Sequence, residues 1–120
     1  MKNLFEKAEK ARSTSQFESA RKIYKTLLRS SLTKEEKADA LLGLADVERI
    51  RGYFPQALTH YRQASRLFKV IDPIAQLDAH VGWALSARAS GQPWAALKEL
   101  KKALVQYQKQ NDLEGEAFTH

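Results

Sequence analysis

Arg12, Arg49 and Arg88 stand 37 and then 39 residues apart. Three residues before each come Glu9, Asp46 and Leu85, and four before those come Phe5, Leu42 and Val81. Offsets of four and three put the three columns on one face of a helix. A guanidinium can hold a carboxylate through two parallel hydrogen bonds, and a neighbouring apolar column can hold an aliphatic side chain. The pattern therefore suits recognition of a segment carrying acidic and apolar residues. The same spacing allows a plainer outcome, in which Arg12 pairs with Glu9 and Arg49 with Asp46 inside their own helices, for about 0.2–0.5 kcal/mol each. Arg88 has Leu85 at that offset and no such partner.

A second basic set, Lys25, Arg62 and Lys101, keeps the same register and is flanked by Lys22 and Lys98 and by Arg29 and Arg66. Such a stripe can serve as a solvated face, or meet nucleic acid or an acidic membrane surface. Base-stacking aromatics are not interleaved with it, which argues against sequence-specific RNA recognition. His60, His80 and His120 form no same-helix pair at ligand spacing, so a metal site is not expected. The chain has no Cys, which excludes disulfides, thiol nucleophiles and thiolate metal sites. No phosphate-cradling Gly loop, Ser–His–Asp arrangement or paired-carboxylate cleft is recognisable, and no cofactor is expected. Trp83 reads as core, and Trp94, beside Pro93, is expected to pack on the preceding turn.

What must position these columns follows from size and charge. At 120 residues, 43% apolar and 28% charged, the chain suits one domain. No apolar run reaches the roughly 20 residues of a membrane span, and the first residues carry charges where a signal peptide needs an apolar core. A cytoplasmic protein is expected. The net charge of +6 is banded. Successive blocks 1–30, 31–47, 48–71, 72–87, 88–111 and 112–120 carry +5, −2, +4, −2, +4 and −3. Regular alternation points to a repeated unit rather than a basic tail.

Three segments do align. Leu4-x-x-x-Ala8 leads to Ser15-Gln16-Phe17-x-x-Ala20-x-x-x-Tyr24, and Leu41-x-x-x-Ala45 to Gly52-Tyr53-Phe54-x-x-Ala57-x-x-x-Tyr61. The third runs from His80-x-x-x-Ala84 to Gly91-Gln92-Pro93-x-x-Ala96-x-x-x-Leu100. Apolar residues recur at three and four, never in strand-like alternation, so each unit reads as two helices. First helices are expected at about 2–13, 33–51 and 73–90, and second helices at about 17–30, 55–70 and 94–110. Thr33 with Glu36 forms a capping box, and Ser15 with Glu18 has the same form. Asp72-Pro73 starts a helix, as do Pro55 and Pro93, while Gly52 and Gly91 end helices. Ala8, Ala45 and Ala84 should meet Ala20, Ala57 and Ala96 inside each hairpin, where only small side chains permit close approach. Tyr24, Tyr61 and Leu100 should fill the gap to the next unit, with Ile23, Leu27, Leu28, Leu67, Phe68, Leu104 and Tyr107.

These residues resemble the tetratricopeptide repeat. Leu41-x-x-Leu44-Ala45 followed by Gly52, Ala57, Tyr61 and Ala64 matches its motif well, and the units around Ala8, Ala20 and Tyr24 and around Trp83, Ala84, Gly91, Ala96 and Ala103 match in part. The periods of 37 and 39 exceed the usual 34 and look like the long-repeat variety. The resemblance implies an all-α, right-handed superhelix of antiparallel hairpins. Its repeats would span about 1–32, 33–71 and 72–111, with 112–120 opening a fourth first helix. It also implies a concave groove lined by the first helices, here Phe5, Arg12, Leu42, Asp46, Arg49, Val81, Leu85 and Arg88, and a convex back carrying Lys25, Arg62 and Lys101. Chaperone-binding members clamp a terminal carboxylate with Lys, Asn and Arg. Here Phe5, Leu42 and Val81 stand where that clamp's Lys would begin, and Glu9 and Asp46 replace its Asn, so a chaperone-tail receptor is not expected.

The expected function is a non-enzymatic scaffold that holds a protein or peptide segment in the groove. The alternatives are a self-assembling module and, behind it, a nucleic-acid-binding repeat using the basic back. An apolar last unit, either cut from a longer chain or covered by association, makes self-association an expectation as well.

Overall fold

The computed structural model describes the backbone of residues 2–119 and the side chains of residues 3–106, 108 and 109. Six helices follow one another: α1 (Lys2–Ser13), α2 (Phe17–Leu28), α3 (Lys34–Arg51), α4 (Phe54–Ile71), α5 (Pro73–Ala89) and α6 (Pro93–Thr119). Among the described residues there is no strand.

Their ends show why the chain breaks where it does. The Thr33 hydroxyl accepts from the Glu36 N–H at 3.1 Å, and the Glu36 carboxylate accepts from the Thr33 N–H at 2.9 Å. That backbone contact holds the Glu36 carboxyl below its usual range. The Asp72 carboxylate caps α5 by accepting from the Ala75 N–H at 3.1 Å. At the other ends, α3 closes on Gly52 at φ 84°, and the turn after α5 holds Gly91 at φ 87°. The paired bonds Gly52 N–H to Arg49 C=O and Tyr53 N–H to Glu48 C=O mark a left-handed helix terminus, and Gly91 to Arg88 with Gln92 to Ala87 repeats it.

The first unit makes the same turn without a glycine. Ser15 N–H bonds Arg12 C=O and Gln16 N–H bonds Ala11 C=O, with Ser15 at φ 64°. Ser15 therefore ends α1 rather than capping α2. The N-cap of α2 is Gln16, without a side-chain bond, so the expected capping box with Glu18 does not form. The reason is register: Ser15 stands 37 residues before Gly52, in the left-handed position of the turn.

Each helix packs on the next, and α3 also touches α1 and α5, whereas among the described residues α2, α4 and α6 do not approach one another. Within hairpins the small residues meet as expected. Ala8 and Ala20 share one cluster, Ala45 and Ala57 a second, and Ala84 and Ala96 a third. The core is thus a series of local clusters rather than one centre. The radius of gyration, 15.3 Å, exceeds the ~14 Å of a spherical domain of this length.

Between hairpins the contact is aromatic. Tyr24 of α2 and Tyr61 of α4 are both fully buried. The Tyr24 ring lies on Gly43 of α3, where an added Cβ would come within 2.6 Å of Cε1 and Oη. The Tyr61 ring lies on Gly82 of α5 in the same way, 2.9 Å from Cδ1 at that point. One difference from the sequence expectation remains. Helix α6 runs unbroken to Thr119, whereas a stop near 110 and a new helix at Asp112 were expected. Asn111-Asp112 carries neither Gly nor Pro, so no strong local breaker opposes helix there. Tyr107 and His120 lie outside the residues whose side chains are described.

Two measurements check this account. Ser15→Gly should stabilise the protein by about 1 kcal/mol, read as a higher urea midpoint, because it relieves a left-handed conformation. Gly43→Ala should destabilise by about 1–2 kcal/mol, the crowding outweighing the helix propensity gained. In a Tyr24→Leu background that cost should vanish, and simple additivity in the double-mutant cycle would contradict the ring-on-glycine contact.

Candidate functional site

The face formed by α1, α3 and α5 carries the columns read from the sequence, and the structure joins the polar members of the first two units into one network. Arg12 bonds Glu9 on its own helix at 2.6 Å and reaches across to Asp46 of α3 at 3.1 Å. Asp46 also accepts from the Tyr61 hydroxyl. Arg49 Nε donates to the same Tyr61 oxygen at 3.0 Å, and its terminal nitrogen stands 3.9 Å from Asp46. One unit earlier, the Tyr24 hydroxyl donates to Glu9 at 2.6 Å. Each tyrosine therefore rests its ring on the next hairpin and donates a hydrogen bond to the acid of its own.

The electrostatics follow from burial. The Asp46 carboxyl is pushed above its usual range by loss of water, against the pull of Tyr61, Arg12 and Arg49. The Tyr24 phenol is raised by burial and then by its bond to Glu9. The Tyr61 phenol is raised by burial and then by the charge of Asp46. Both hydroxyls stay protonated well past the ordinary phenol range near 10.

The eight groove residues therefore divide. Arg12, Asp46 and Arg49 are bonded to one another or to neighbours, so the intrahelical pairing weighed from the sequence is real for Arg12 and Glu9 and loose for Arg49 and Asp46. The Arg12–Asp46 bond between hairpins was not foreseen. Phe5 and Leu42 are half-buried against core clusters. Val81, Leu85 and Arg88 are exposed, and Arg88 has no side-chain partner among the described residues. The third unit has lost the acid and the tyrosine together, since Leu85 and Leu100 stand where Asp46 and Tyr61 stand in the second.

The basic set on the second helices is not a uniform stripe. Arg62 bonds Glu99 of α6 at 3.0 Å and stacks on Trp83 at 4.5 Å, so it is committed inside the protein. Lys25 is half-buried and Lys101 exposed. Trp83 is half-buried under Arg62, whereas Trp94 is 82% exposed and does not pack on the preceding turn. Its ring stands largely in water.

Two histidine–carboxylate pairs escaped sequence reasoning. His60 Nδ1 lies 2.5 Å from Oε1 of the buried Glu48, and His80 Nδ1 lies 2.6 Å from Oε1 of the buried Glu99. The Glu48 Oε2 atom has no hydrogen-bond partner among the described residues. Among the described residues no cluster of His, Asp and Glu could hold a metal ion, and no helix is long and apolar enough to cross a membrane. No family model matches the chain, and no curated protein or solved structure does so.

The network can be weighed by removing single hydroxyls. Tyr61→Phe should cost about 2 kcal/mol, since it strips a hydrogen bond from a carboxylate held largely out of water. Tyr24→Phe should cost less, because Glu9 is half-exposed. Raised phenol values mean that stability is full below pH 10 and is lost as the pH rises beyond it. Denaturant titrations from pH 9 upward should show a shallower loss in either Phe variant than in the wild type.

Proposed function

We propose that the chain is a non-enzymatic scaffold of the tetratricopeptide kind, a single cytoplasmic domain that holds a protein segment on the wall formed by α1, α3 and α5. The observation that carries this reading is the uneven spacing of the helices. Successive first helices touch, while among the described residues the second helices do not. A stack of hairpins spaced this way bends toward its first helices, as a right-handed superhelix with a concave wall requires.

The chemistry of that wall suits a partner with both acidic and apolar side chains. Arg88, Val81 and Leu85 are free to meet it, while Arg12, Asp46 and Arg49 stiffen the surface beside them. Support for the nucleic-acid alternative is weaker, because Arg62 is spent on Glu99 and Trp83. Self-assembly remains the competing reading, since Leu85, Leu100 and Leu104 are exposed.

Photo-crosslinking from single positions separates these readings. Asp39 lies seven residues before Asp46 and so on the same face of α3. A photoreactive residue at Asp39 or Leu85 should capture a protein partner from native lysate, and one at the exposed Gln63 of α4 should not. Capture only from Gln63, or only of the chain's own copies, would overturn the proposal.

A further inference from the structure

Short turns make successive helices run in opposite directions, so the turns fall alternately at two edges of the stack. The turns at Ser15, Gly52 and Gly91 share one edge. Near it Arg12, Arg21, Arg49 and Arg51 are each paired with Glu9, Glu18 or Asp46. The other edge, with the turns at 29–33 and at Asp72, is left basic. Arg29 of α2, Lys34 and Lys37 of α3, Arg66 and Lys69 of α4 and Lys109 of α6 are exposed. None of them has an ion-pair partner among the described residues. The bond from Gln106 to Gln76, 2.6 Å, brings the Lys109 stretch of α6 beside the start of α5. The carboxylates of this edge are Glu35, Glu36 and Asp72, and the last two accept from backbone N–H groups at helix starts. Asp39 and Asp78 lie further in, on the wall.

Out of this basic edge stand three aliphatic side chains. Val70 is 90% exposed, Ile74 51% and Ile71 39%. None of them packs into a core cluster of the described residues. The repeat does not call for them either. At the offset of 37 the first unit has Thr33, Lys34 and Lys37 in their places. Helix α2 ends at Leu28, in register with Ser65, whereas α4 continues to Ile71 and carries the aliphatics outward. Arg66 lies one turn before Val70 on the same face of α4, and Lys69 adjoins it. The turn joins the second and third hairpins at the side of the stack, so it is set apart from whatever lies against either end.

We infer that this edge seats the protein on an anionic membrane surface, with Val70, Ile71 and Ile74 entering the interfacial layer and the surrounding Arg and Lys side chains meeting acidic headgroups. Each half of the surface needs the other. A nucleic acid rewards the cations and gives the aliphatics no apolar burial. A rigid protein partner would need a socket shaped to a protruding tip, whereas a fluid interface closes round one. An acidic leaflet supplies both the charge and the apolar layer. The inference is independent of the scaffold reading, because the edge is separate from the wall of α1, α3 and α5.

The chain has no Cys, so single sites can be labelled with an environment-sensitive fluorophore. Label at Val70→Cys should shift to the blue on vesicles of phosphatidylcholine with about 30% phosphatidylserine, and not on phosphatidylcholine alone. Label at Gln56→Cys, exposed near the opposite edge, should not shift on either. In vesicle sedimentation of unlabelled protein, Val70→Ser with Ile74→Ser should weaken binding about tenfold or more, as should Arg66→Gln with Lys69→Gln. All four are surface residues, so the far-ultraviolet circular dichroism should be unchanged in both variants.

No shift at Val70 on anionic vesicles would overturn the inference, as would equal binding to neutral ones. Equal sedimentation of the Ser pair and the wild type would reduce the edge to plain charge attraction and overturn it too. A shift without vesicles that grows with protein concentration would assign the tip to a second copy. A single-stranded oligonucleotide that strips the wild type from vesicles and binds the Ser pair undiminished would assign the edge to nucleic acid. Either result overturns the membrane inference and leaves crosslinking from Asp39 to judge the scaffold reading.

Discussion

A buried tyrosine that lies on a glycine of the next hairpin while donating its proton to a carboxylate of its own is the constraint on which the rest depends. Tyr24 and Tyr61 each join three helices in this way. The ring sets the distance between hairpins, because only a residue without Cβ lets a helix come so close. The hydroxyl sets the rotation, because it must reach Glu9 or Asp46 without leaving the core. Helices α3 and α5 consequently carry more buried residues than α2 or α4, and the exposed Asp39 of α3 and Asp78, Val81, Leu85 and Arg88 of α5 lie on the α1–α3–α5 wall.

Polarity along that wall follows from the same device. Where a tyrosine hydroxyl enters, an acid receives it, and where an acid stands, an arginine compensates it. The first two units obey this rule. In the third, aliphatic side chains replace both members, and the arginine that remains, Arg88, has no side-chain partner among the described residues. The wall thus grades from a self-satisfied polar end to an apolar end with an unpaired cation. That gradient explains why the eight residues aligned by spacing alone are not eight equivalent contacts.

Much of this was legible in the sequence. Helix ends at Thr33, Gly52, Asp72 and Gly91 follow from local backbone chemistry, which acts within a few residues and leaves a clear mark. The Ala pairs within hairpins follow from periodicity. What spacing could not supply was partnership across units. The Arg12–Asp46 bond joins residues 34 positions apart, and either arginine of the wall could equally have folded back on its own helix. Gly43 and Gly82 carried a usable signal, as glycines inside otherwise strong helices 39 residues apart, and it was missed. Ser15 shows the opposite case, where a familiar capping pattern hides a left-handed turn that register with Gly52 would have revealed. The His60–Glu48 and His80–Glu99 pairs break the repeat altogether, so no alignment of units could expose them.

Among the described residues every helix finds its neighbours close by in the chain, and no segment packs onto the stack from a distant position. Loops are short throughout, so little entropy stands against nucleating at any hairpin and growing outward. The converse concerns tension. A pull on the two ends loads the interfaces in series rather than in parallel, so the protein yields by peeling its hairpins away in sequence, with each Tyr-on-Gly seat marking one step of extension.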